Sequence, residues 1–70
     1  MSDYVVIYEQ DGDGGWGAYL PDLPGVVALG ATRSEVSERI QEALSVFADD
    51  LRERGEILPP PHHAAGTVAA

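Results

Sequence analysis

PDLPGVVALG, residues 21–30, sets two prolines and two glycines around a strand-prone run, Val26 to Leu29. Proline withholds an N–H from any β-ladder, so this punctuation marks a corner rather than a continuous strand. Pro21 stops the strand before it. Pro24 presets φ near about −65°, and Gly25 takes the positive φ that the third position of a type II turn demands. The chain reverses here, and Val26–Leu29 returns as an antiparallel strand that Gly30 ends.

The flanking segments complete a small sheet and its cover. Upstream, Tyr4–Glu9 (YVVIYE) is β-branched and aromatic and too short for an amphipathic helix, so it reads as a strand. Alternation places Tyr4, Val6 and Tyr8 on one face and Val5, Ile7 and Glu9 on the other. Gln10–Gly15 (QDGDGG) holds the Asp-Gly and Gly-Gly pairs of a hairpin turn. Trp16–Leu20 (WGAYL) is the return strand, with Trp16, Ala18 and Leu20 on one face and Gly17 and Tyr19 on the other. Downstream, Thr32-Arg33-Ser34-Glu35 matches a capping box, in which the Thr32 hydroxyl accepts from the Glu35 N–H and the Glu35 carboxylate reaches back to the Thr32 N–H. Behind it Val36, Ile40, Ala43, Leu44, Phe47 and Leu51 recur at helical spacing and form one apolar stripe. Glu35 with Arg39 and Asp50 with Arg54 are i,i+4 pairs, and Gly55 stands where a helix ends. The expected fold class is α+β: a three-stranded antiparallel sheet, β-β-β-α in order, with one amphipathic helix packed on it. Residues 1–58 form the domain. Residues 59–70 (PPPHHAAGTVAA) form a proline- and alanine-rich tail, extended or disordered, unless its last five residues add an edge strand.

Seventy residues make one domain with a small core, since a chain of this size buries only about 60% of its unfolded surface. Without cysteine there is neither a disulfide staple nor a thiolate metal site, so self-association into a dimer or tetramer is the expected reinforcement. Four basic residues against twelve acidic ones give a formal net charge of −8, which repels phosphate backbones and anionic lipid. Direct nucleic-acid binding is not expected; solubility or a cationic partner is. No run approaches the roughly 18 apolar residues of a membrane span, and the expected location is the cytoplasm.

Catalytic patterns are weak. His62 and His63 lie beyond the prolines and read as solvated tail residues, without the rigid further ligands a metal needs. Asp11 and Asp13 begin like a calcium loop, but Gly15, Trp16 and Asp22 occupy positions where other residue types are required. None of Ser2, Ser34, Ser37 and Ser45 sits at a glycine-rich elbow. No cofactor and no enzymatic activity are expected. Trp16 and Tyr19 fall on opposite faces of their strand, so one helix cannot cover both, and one of them is free to anchor a partner.

The order of these elements, and the string GGWGAYLPDLPGVVALGATRSEVSERIQEAL in particular, resembles the HicB antitoxin family over residues 4 to 61. Pro21, Pro24, Gly25, Gly30, Thr32 and Glu35 carry the structural motif of that resemblance, and Val26 stands where many members have cysteine. The resemblance implies a partly degraded ribonuclease-H-like domain that binds HicA, a small basic mRNA-cleaving toxin, and silences it by covering its active site. On charge and aromatic character, the residues expected to meet the toxin are Glu9, Asp11, Asp13, Trp16, Tyr19 and Asp22. The other outcome left open is a solitary homo-oligomeric domain with no toxin partner.

Overall fold

The computed structural model describes residues 3–70. Three short strands and one long helix follow in the order β1 (Ile7–Gln10), β2 (Trp16–Tyr19), β3 (Val27–Gly30) and α1 (Arg33–Glu53). The strands form one antiparallel sheet in the order β1-β2-β3. Ile7 pairs with Tyr19 and Gln10 with Trp16 across the first hairpin, and Trp16 with Gly30 and Tyr19 with Val27 across the second. The α+β class and the β-β-β-α order are those read from the sequence.

The strand limits differ from expectation for a reason that lies in the corner. β1 begins at Ile7 rather than Tyr4, because its partner strand ends at Tyr19 and leaves residues 4–6 nothing to pair with. Leu20 lies outside β2, donating its N–H to the Val26 carbonyl (3.3 Å) while its own carbonyl accepts from Leu23 (3.1 Å). Val26 in turn donates to Leu23 (3.1 Å), which closes the Leu23-Pro24-Gly25-Val26 turn, and Gly25 has φ +98°. The corner is thus two successive turns. β3 starts one residue later than expected and includes Gly30.

In the first hairpin the Gly14 N–H donates to Asp11 (3.1 Å) and the Asp11 N–H to Gly15 (2.9 Å). With Gly14 at φ +93°, this is the three-residue loop in which a turn is followed by one left-handed glycine.

One face of the sheet carries the core. Ala18, Leu20, Leu23, Val26, Ala28, Val36 and Ile40 are buried, and Tyr4, Val6, Tyr8, Trp16, Ala43, Leu44, Phe47 and Leu58 pack against them. Gly30 brings β3 against the first helical turn so closely that a Cβ there would lie 2.8 Å from Glu35 Oε1 and 2.9 Å from Val36 Cγ2. The helix starts where the capping box requires, with Thr32 Oγ1 accepting from the Glu35 N–H (3.1 Å). The return bond differs: the Glu35 carboxylate accepts from the Ala31 N–H (3.2 Å), one residue before the expected donor. Glu35–Arg39 and Asp50–Arg54 form the expected ion pairs at 3.3 and 3.0 Å. At the other end Gly55 donates to Arg52 and Glu56 to Leu51, a Schellman motif. A 21-residue helix spans about 31 Å and four-residue strands about 13 Å, so α1 overhangs its sheet. Burial fades accordingly, from Val36 and Ile40 to the half-buried Phe47 and Leu51.

Residues 56–70 contain no strand, so the GTVAA segment does not extend the sheet. The segment is nevertheless tied down at its start. Leu58 packs on the core, the Tyr4 hydroxyl donates to the Pro59 carbonyl, and both His62 and His63 contact Asp22. Both histidines stay exposed, as expected of tail residues, but the His62 backbone amide and the His63 ring are tied to Asp22 rather than left without partners.

Candidate functional site

The six residues expected to meet a partner separate into three places. Glu9 is exposed on β1, and Asp11 and Asp13 are exposed on the loop that follows it, so the hairpin end of the sheet gathers three carboxylates. The Asp13 carboxyl is held below the ordinary carboxylate value, first by the neighbouring Asp11 carboxyl, which can donate to it only while protonated, and then by the backbone amides of Gly15 and Asp13. It is therefore charged throughout the neutral range. Among the described residues no three His, Cys, Asp or Glu side chains are placed to hold a metal ion.

Trp16 lies on the helix-facing side of β2, half-buried against the core, where a protein this small needs its largest side chain. Tyr19 lies on the opposite face and is 40% exposed. Of the two aromatic residues, then, Tyr19 is the one left free.

Asp22 is neither free nor at the hairpin end. Its side chain is 2% exposed, and Oδ1 accepts from the His62 N–H (3.0 Å) and the His63 ring Nδ1 (2.7 Å). Its second oxygen, Oδ2, is buried without a partner among the described residues. Burial pushes the Asp22 carboxyl up, but the bonds from His63 and His62 and the charge of His63 pull it further down, and the net displacement is downward. As an accessible partner-binding carboxylate Asp22 is corrected: the corner turns it toward the C-terminal segment, which then covers it.

The charge distribution supplies a contrast that composition alone hides. Residues 1–32 carry Asp3, Glu9, Asp11, Asp13 and Asp22 and no lysine or arginine. All four arginines lie in residues 33–54; Arg39, Arg52 and Arg54 are each paired with a carboxylate, and Arg33 lies 4.6 Å from the centre of the Tyr8 ring. The strands and their loops thus contribute carboxylates and no basic side chain; the arginines all come from the helix and its C-cap, and two of them, Arg33 and Arg39, reach back to β1 and β3. No described helix is long and apolar enough to cross a membrane. The tail contacts of Tyr4, His62 and His63 had no signal in local sequence, because their partners lie about 40 or more residues away.

Comparison with known proteins agrees with this architecture. The family described as HicB_like antitoxin of bacterial toxin-antitoxin system matches residues 4–70. A UPF0150 protein of Thermoplasma acidophilum is 33% identical over 67 residues, spanning 96% of this chain and 97% of that protein. The crystal structure of the N-terminal domain of the Burkholderia pseudomallei antitoxin HicB aligns with a TM-score of 0.69 at 25% identity, covering 93% of this chain and 69% of the other.

Proposed function

Because the chain belongs to the HicB-like antitoxin family of bacterial toxin-antitoxin systems, we propose that it silences a small basic HicA-type ribonuclease by binding over its active site. In this reading the protein acts in the cytoplasm, by binding and not by catalysis, and as a homo-oligomer. The observation that carries the toxin contact is the hairpin end, where Glu9, Asp11 and Asp13 stand exposed in a half of the chain that has no basic side chain. Fixed carboxylates at a sheet end offer a cationic nuclease what its substrate backbone offers, and opposite charge speeds encounter and excludes wrong partners. Trp16 supports the sheet from inside the domain, and Asp22, at the corner and held by the C-terminal segment, takes no part in that surface.

The test begins with capture of the tagged protein from its native cells at low salt and identification of what accompanies it in stoichiometric amount. A small basic protein with ribonuclease activity, inhibited on binding, is the expected result. Glu9→Lys, Asp11→Lys and Asp13→Lys together should then slow association by about tenfold or more and flatten its salt dependence. Capture of nothing but the chain itself, or association indifferent both to salt and to these substitutions, overturns the proposal.

A further inference from the structure

We infer that two copies of this chain meet through the face of the sheet that α1 does not cover. The inference rests on the homo-oligomer reading above and assigns it a surface.

That face is built by Val5, Ile7, Tyr19, Val27 and Leu29, with Gly17 between them. Tyr19 is 40% exposed, Val27 61% and Leu29 74%, so the β2–β3 half is bare. Beside it, His63 to Gly66 edge a hollow floored by Val5, Ile7, Tyr19 and Pro21. Leu29 fills the space above Gly17, where a Cβ would lie 3.2 Å from its Cδ2. The result is a continuous apolar surface across two strands. The shortest dimension of the molecule, 17 Å, is that of a sheet and one helix, with no second layer beneath.

Charge selects the occupant. The chain carries −8, yet this face holds a single charged side chain, Glu9, and that at the hairpin end. A cationic partner gains little here and much at the hairpin loop. Two copies of a strongly acidic protein repel each other everywhere except where the charge is missing, and this is such a place. A two-fold arrangement with the sheets face to face and strands antiparallel sets the two Glu9 ends at opposite extremes of the pair, leaving both hairpin loops open to a further partner. Edge-to-edge pairing is the competing geometry. It is obstructed at β3, because Arg39 donates to the Leu29 carbonyl (2.7 Å) while held by Glu35. The other large exposed side chain on a regular element, Val46, edges a hollow with Val26, Ala43 and Phe47, but Arg39, Glu42 and Asp50 line the same hollow, so it lacks the charge-free character of the sheet face.

The two interfaces respond to salt in opposite senses. Screening weakens attachment of a cationic toxin but strengthens contact between like-charged copies. Sedimentation equilibrium of the full chain over a salt series, with far-UV circular dichroism to check folding, tests the assignment. The wild type is expected at twice or more the 7.4 kDa chain mass, with association rising with salt. Leu29→Glu and, independently, Val27→Glu should each run at the monomer mass with unchanged helical signal, whereas Val46→Glu keeps the wild-type mass. A folded Leu29→Glu and Val27→Glu pair that both stay associated, or a Val46→Glu that alone dissociates, overturns the face. A wild type that is monomeric at every salt concentration overturns the homo-oligomer reading itself, and a toxin still captured by that monomer leaves the inhibitor proposal standing.

Discussion

Gly25 allows the corner to be tested as a matter of backbone geometry alone. Its φ is +98°, and a Cβ built on it meets nothing within 4 Å. Gly12, in the first hairpin, has equally open surroundings but does not occupy the left-handed region. Replacing either by alanine removes the same freedom from the unfolded chain, so the difference between the two variants isolates the strain of placing an L-residue at positive φ. That strain is about 1–2 kcal/mol. A domain of this length has roughly 3.5–10 kcal/mol to lose in total, by the usual per-residue scale. At about 4–8 °C per kcal/mol for so small a domain, Gly25→Ala should melt roughly 4–16 °C below Gly12→Ala. Asparagine tolerates left-handed angles better than alanine, so Gly25→Asn should recover part of the loss. Paired thermal melts followed by circular dichroism give the answer. Equal melting temperatures for Gly25→Ala and Gly12→Ala would refute the turn that directs β3 back along β2.

Three further outcomes follow from the same contacts. Thr32→Ala removes the acceptor of the Glu35 N–H and should cost about 0.5–2 kcal/mol in chemical denaturation; no change would mean that the helix start does not depend on its cap. Gly30→Ala should destabilise by about 1–3 kcal/mol, because Glu35 can swing aside only by abandoning the Ala31 N–H and Val36 is fully buried; an unaltered midpoint would show that β3 and α1 separate without cost. Asp22, whose folded-state carboxyl lies below its ordinary value, contributes stability that is present above the ordinary carboxylate range and lost as pH falls through the lowered value. The NMR signals of the His62 amide and His63 ring should therefore shift together in an acid titration, and Asp22→Asn should bring the His62 amide toward its unattached position at neutral pH. Signals indifferent to both perturbations would show that the carboxylate does not hold the segment.

The elements legible in the sequence are those whose causes are local. A Pro-Gly pair, an Asp/Gly loop, a threonine three residues before a glutamate and a stripe at helical spacing each act within a turn or two of chain, and each produced its element. Strand limits were less legible, because a strand ends where its neighbour ends. Tyr4–Val6 is as β-prone as Ile7–Glu9, and only the register Ile7 to Tyr19, imposed by the corner beyond Leu20, decides between them.

Asp22 marks the point at which local reasoning gives out. As an acidic residue between a proline and a leucine on a turn, it has the sequence character of an exposed carboxylate, and Asp11 and Asp13, with the same character, are exposed. What separates them is a segment some forty residues downstream, which three prolines stiffen as it leaves the core at Leu58. Those prolines lack N–H groups, so His62 is the first residue after Leu58 whose amide can donate, and it does so to Asp22 with the His63 ring beside it. The corner motif thereby has two uses: its glycine turns the chain, and its aspartate receives the segment that returns after the helix. On this account, of the four carboxylates expected to meet a cationic partner, the three at the hairpin end stay available, and substitutions at Asp22 should alter the tail before they alter binding.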